Sequence, residues 1–201
     1  MGTTPTYSWP YPESTDPVAN GAQDIEDLAL AVETTVSGLP AGKILQVVST
    51  TKSDTFSASL ATTTFTAVTG LSLSITPSSA SSTILLLGSV NGSWSLNTSN
   101  PHATWRFTRG GSPVGVGDTD GSRASITAMT VAASTAFISQ ANASMMYLDS
   151  PATTSATTYA IDIYNFDAST QTVYVNRPAL DSNTGQYTRA ISTIMALEVS
   201  A

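Results

Sequence analysis

Hydrophobic and polar residues follow two different periods along this chain, and the change comes close to Lys43. Before it, Ile25, Leu28, Val32 and Val36 (or Thr35) recur at helical spacing, and Ala22, Ala29 and Ala31 widen the apolar side. Asp16-Pro17 and Asn20 are both start signals, and Gly38-Leu39-Pro40 is a stop, so one helix is expected over residues 21–38. Two heptads are marginal as an isolated helix in water. The stripe therefore packs either on identical helices around a symmetry axis or on the domain that follows. After Lys43 the period falls to two, most clearly in Leu71-Ser72-Leu73-Ser74-Ile75-Thr76 and Tyr159-Ala160-Ile161-Asp162-Ile163-Tyr164.

Strands are expected over residues 44–50, 55–59, 63–68, 71–76, 83–96, 103–109, 136–149, 158–166, 172–176 and 188–200. They are separated by turn chemistry at Gly70, Pro77-Ser78-Ser79, Asn100-Pro101, Gly110-Gly111, Ser150-Pro151 and Asp181–Gly185. Short strands at this spacing, without an internal repeat, predict a mainly β fold: a jelly-roll-like antiparallel β-sandwich. An extended N-terminal arm and one short α-helix precede it. The expected division is 1–20 for the arm, 21–38 for the helix and 43–201 for the sandwich.

The arm has its own texture. Pro5, Pro10, Pro12 and Pro17 favour extended backbone and remove amide donors, while Tyr7, Trp9 and Tyr11 are placed to line one side. Three rings gain most when covered, by a partner chain or by the β domain. Tyr7, Trp9, Pro10, Tyr11, Pro12, Asp16 and Pro17 are therefore the candidate anchoring residues, and Ile25, Leu28, Val32 and Val36 the candidate oligomerising ones.

Charge narrows the partners. The formal net charge is −7, and six of the fourteen acids (Glu13, Asp16, Asp24, Glu26, Asp27, Glu33) precede the first basic residue, Lys43. Seven scattered Lys and Arg residues make no phosphate-binding patch, so nucleic acid is not expected as a partner. An acidic arm suits a basic or neutral docking surface, or simply presents a solvated face. Cysteine is absent, which removes disulfides and thiolate metal sites. The opening residues lack the basic and apolar regions of a secretory signal, and no apolar run is long enough to span a bilayer, so neither that export route nor membrane insertion is expected.

Catalytic chemistry finds little footing. His102 is the only histidine and follows a turn-like Asn100-Pro101, which reads as a structural or solvated position. Asp118-Thr119-Asp120-Gly121 lacks the later ligands of a calcium loop and reads as a turn. Asp149, Asp162, Asp167 and Asp181 offer carboxylates, but nothing in their spacing singles out a glycosidase pair. No enzyme activity, metal or cofactor is expected. A cellular carbohydrate-binding module is a weaker reading, which would use Trp94 and Trp105 as platforms. From turn composition, residues 97–103, 110–123 and 181–186 are expected at the distal surface.

One segment carries a resemblance. Trp9-Pro10-Tyr11-Pro12-Glu13-Ser14-Thr15-Asp16-Pro17-Val18-Ala19-Asn20-Gly21-Ala22-Gln23-Asp24-Ile25, running into Leu28-Ala29-Leu30-Ala31-Val32-Glu33, resembles the N-terminal region of tailed-bacteriophage tail fibres and minor tail proteins. Gly42–Thr50, Ile75–Leu85, Phe107–Asp118 and Ser192–Val199 are similar to tail-fibre β domains. Asp16, Pro17, Val18, Gly21 and Ala22 fall directly on the family pattern. The resemblance implies a virion structural protein, most often a homotrimer, fixed to tail or capsid proteins by its N-terminal part. Its β domain would point outward to a host-surface polysaccharide or protein. It carries over no receptor-binding residue. Long shafts are common in that family and none is present here, which leaves open a capsid-decoration role on the head instead of the tail.

Overall fold

The computed structural model describes residues 2–38, 43–94, 102–131, 140–166 and 169–201. The chain forms two compact units, Met1–Gly42 and Lys43–Ala201.

In the first unit, β1 (Gly2–Thr3) pairs antiparallel with β2 (Pro10–Tyr11), a short 3-10 turn follows at Val18–Asn20, and α1 covers Gly21–Ser37. The helix matches its expected span. The arm departs from expectation, because it is extended only in β1 and β2 and doubles back between them. The Thr4 amide donates to the Trp9 carbonyl and the Ser8 amide to the Thr4 carbonyl, while Ser8 takes a left-handed φ of 54°. Proline density favours extended chain locally, but it leaves the few amides present free to close such a loop.

The second unit contains β3 (Ile44–Lys52), β4 (Phe56–Leu60), β5 (Thr64–Ile75), β6 (Thr83–Trp94), β7 (His102–Arg109), β8 (Ser112–Val114), β9 (Ala128–Val131), β10 (Ala141–Asp149), β11 (Thr157–Asn165), β12 (Gln171–Val175) and β13 (Ser192–Val199). All pairings are antiparallel. In one sheet β6 is central: β10 takes one edge, while β13 and β12 share the other, with β3 and β4 outside them. The other sheet runs β5-β11-β7, with β8 and β9 sharing the far edge of β7. Taking β3/β4, β8/β9 and β12/β13 as three interrupted strands leaves eight, distributed between the sheets as in a jelly roll. The predicted sandwich is the observed fold.

Its details are less regular than the pattern implies. Two expected strands, 63–68 and 71–76, are one strand, β5. Gly70 adopts φ 88° where the β5–β11 register slips, so the glycine bends the strand without ending it. Neither β8 nor β9 is among the expected strands; β8 lies in a Gly/Asp/Ser-rich stretch with no period to read. Residues 95–101 and 132–139, which include the ends of two expected strands, lie outside the described residues.

The core fills by pairing large residues on one sheet with small ones on the other. Trp105 and Phe107 of β7 point inward, and facing them on β6 are Gly92 and Gly88. A methyl group on Gly92 would stand 2.5 Å from Trp105 Cζ2, and one on Gly88 would stand 3.1 Å from the Phe107 ring. Around this centre pack Ile84, Leu86 and Val90 of β6, and Ile161 and Ile163 of β11.

One buried asparagine ties the interrupted strands together. Asn176, at φ 63°, donates to the carbonyls of Lys52 and Asp54 at the β3–β4 break and accepts a hydrogen bond from the Ser192 hydroxyl (2.6 Å). Its own amide donates to the Asn91 carbonyl, and the Ser192 hydroxyl accepts from the Asn91 amide. Residues 177–191 thus leave the sandwich and return to it at a closed base.

Candidate interaction surfaces

Within the first unit the arm and helix are joined by a specific contact. Tyr7 and Trp9 stack with ring centroids 5.1 Å apart, and the Trp9 indole N–H donates to the Thr35 hydroxyl at 2.8 Å. Thr35 itself donates to the Ala31 carbonyl, so the acceptor is held in place. Tyr11 lies separately, its ring over Gly2, where any side chain would collide with it. The three rings therefore do not form one stripe. Pro10 is half-buried in β2, whereas Tyr7, Tyr11, Pro12 and Pro17 are exposed. Asp16 closes the turn before the helix: its carboxylate accepts from the Glu13 amide, and that bond is the main reason its pKa is lowered.

The helix stripe divides into two flanks. Leu28 and Ala31 lie on the flank with Thr35, where Trp9 docks, and are half-buried. Ile25 and Val36 are 65% and 57% exposed, while Val32 is half-buried between the flanks. The open flank reads Ala22, Ile25, Ala29 and Val36, with half-buried Val32 at its edge, in alternating spacings of three and four such as a coiled-coil seam uses. Sequence reasoning placed Thr35 on the stripe as an alternative to Val36, but not as the acceptor of the Trp9 indole, a role that depends on where the arm turns.

Four acids of the β domain are held by arginines. Asp149 accepts from Arg109 at 2.9 Å and from the Tyr159 hydroxyl at 2.6 Å; burial first and the Asp149 hydrogen bond second push the Tyr159 pKa up. Asp162 pairs with Arg106, whose guanidinium also lies over the Phe65 ring at 3.4 Å, and Phe65 stacks on Tyr164. Asp181 is bonded to Arg189 and lies 3.4 Å from Arg177. Asp120 pairs with Arg123 across the turn containing Gly121. Asp167 and the His102 side chain lie outside the described residues. Among the described residues no three His, Cys, Asp or Glu side chains come together.

Trp94 and Trp105 are core residues, so neither provides an exposed platform for sugar rings. Of the three loops expected at one distal surface, residues 97–101 lie outside the described residues, and the other two are separated: the Gly110-Gly111 turn stands at the end of β7, and residues 177–191 emerge at the strand breaks. The last of these encloses a polar hollow of about 390 Å³ lined by Asp181, Ser182, Asn183, Thr184, Tyr187 and Arg189. No family model and no curated protein matches the chain.

Proposed function

We propose that the chain is a structural subunit of a tailed-bacteriophage virion, a short trimeric tail fibre or minor tail protein. Its N-terminal unit attaches it to the particle, its helix seam joins the copies, and its jelly roll faces the host surface as an adhesin. The observation that carries this reading is the open flank of α1. A folded arm covers one side of an amphipathic helix and leaves a second apolar seam, Ala22, Ile25, Ala29 and Val36 with half-buried Val32 at its edge, open to identical chains. The charge-poor, hydroxyl-rich sandwich beyond it is a scaffold on which loops vary without disturbing the core. Weak contacts repeated by symmetry and copy number then become firm attachment.

Ile25→Asp with Val36→Asp is expected to weaken self-association at least about a hundredfold, since each substitution removes a side chain whose burial stabilises by roughly 1.5–3 kcal/mol. Sedimentation equilibrium reads this directly, and an unchanged mass across the concentration range would reject the seam. For location, gold-labelled antibody on purified particles is expected to mark the tail. Labelling of the head favours the capsid-decoration reading, and particles lacking label reject both. Deletion of residues 2–38 is expected to leave particles without the protein.

A further inference from the structure

We infer that the outward face of the sheet centred on β6 is a second self-association surface, covered by another copy of this chain. This goes beyond the helix seam and holds whether or not the chain belongs to a particle.

Strand register defines the face. Across β3, β13, β6 and β10, one row reads Val47, Leu197, Leu85, Leu148, and the next reads Ser49, Met195, Leu87, Met146. None of these side chains belongs to the core, which is built by the alternate residues Ile84, Leu86, Ile194, Ala196 and Met145. Met146 is 70% and Leu148 54% exposed. Between Leu87, Met146 and Met195 the surface dips into an apolar hollow of about 430 Å³. A projecting methionine beside a hollow is the relief that one surface needs to interlock with its own copy across a twofold axis.

Chemistry favours a copy over other occupants. In the rows from Val47 to Asn142 the outward residues carry no charge; Glu198 turns inward. A chain of net charge −7 therefore meets itself here without repulsion. A lipid surface would call for Lys or Arg at the rim, and sugar rings would call for aromatic platforms; these rows supply neither. Beyond the apolar rows lie Thr193, Ser89, Ser144, Asn91 and Asn142, a polar border of hydroxyls and amides. Four strands ~4.8 Å apart and about nine residues long give roughly 570 Å² of sheet. With its relief, that approaches the ~800 Å² per partner of a stable interface, with an apolar centre and polar rim. The opposite sheet differs: outward Thr104 and Tyr164 line a groove with loop residues Ser122, Arg123, Ala124 and Ile126.

The test uses the full chain with the helix seam disabled by Ile25→Asp and Val36→Asp. This protein is expected still to dimerise reversibly in sedimentation equilibrium, and adding Met146→Glu with Leu148→Glu is expected to weaken that association at least about tenfold. A seam variant that stays monomeric at every concentration overturns the proposal, as does an unchanged midpoint in the combined variant. Peroxide oxidation of the wild type gives a readout free of substitutions. Met146 is expected to oxidise more slowly than Met129, which is 53% exposed on the other sheet, and to lose that protection on dilution to monomer. Protection that persists in a monomer assigns the face to this chain's own N-terminal unit. Reactivity in the isolated assembly with protection only on a particle assigns it to a different protein. Either result overturns the proposal, and neither bears on where the chain resides.

Discussion

Trp105→Ala is expected to lower the melting temperature of the β domain by roughly 10–20 °C. Removing a fully buried tryptophan typically costs about 3–5 kcal/mol, and each kcal/mol moves a domain of this size by ~2–4 °C. The upper part of that range applies because the site has little means of collapsing. The space Trp105 occupies is created by Gly92 on the opposite sheet, which has no side chain to move inward. The indole also donates to Thr130 (3.3 Å) on neighbouring β9, but Thr130 keeps its bond to the Ala103 carbonyl when the ring is gone. The loss is therefore one of packing. Gly92→Ala approaches the same contact from the other side and is expected to destabilise as well, whereas its cost in the Trp105→Ala background should fall sharply. A double-mutant cycle by thermal denaturation measures that coupling. Additive effects would show that the two residues do not meet.

The second large effect concerns Glu198, whose carboxylate is fully buried at the end of β13. Burial alone pushes its pKa up. The hydrogen bonds outweigh that: one Oε accepts from the Ser78 hydroxyl (2.6 Å) and amide (2.7 Å), and the other from Gln46 (2.6 Å). With a further contribution from Ser82, these hold the carboxyl at about 2, against 4.5 for a free glutamate. The folded-state value lies below the unfolded one, so the stabilisation is fully present above pH 4.5 and is lost as the pH falls toward 2. Glu198→Ala is expected to cost on the order of 2–4 kcal/mol at neutral pH, because it removes three hydrogen bonds to a buried carboxylate. It should also flatten the pH dependence of stability between those two values. Urea denaturation across that interval checks both, and a variant as acid-sensitive as the wild type would discount the role of Glu198.

How much of this was legible in the sequence depends on whether the signal was local. The helix was, because its stripe, its proline start and its glycine stop all lie within α1 and its flanks. The jelly roll was legible as a class, since alternating strands and turn residues are local, but strand partners are not. Gly70 shows the limit: a glycine that ends one strand and a glycine that bends it look alike until the register against β11 is known. The docking of the arm on the helix turns on Thr35, which is remote from Trp9 in sequence. The bare face also has a local sign in the sequence. Ile84-Leu85-Leu86-Leu87 and Ile194-Met195-Ala196-Leu197 are apolar without alternation, which is how a strand covered on both faces reads.

The closed base at Asn176 and Ser192 has a consequence for the protruding residues 177–191. The four strand ends are stitched beneath them, so what happens above is uncoupled from the registers below. A foreign peptide spliced between Asn183 and Thr184 is expected to leave the melting temperature nearly unchanged, because lengthening a surface loop adds only a small closure entropy. The sandwich thus carries a socket: one place where new sequence can be tried on without renegotiating the architecture that displays it.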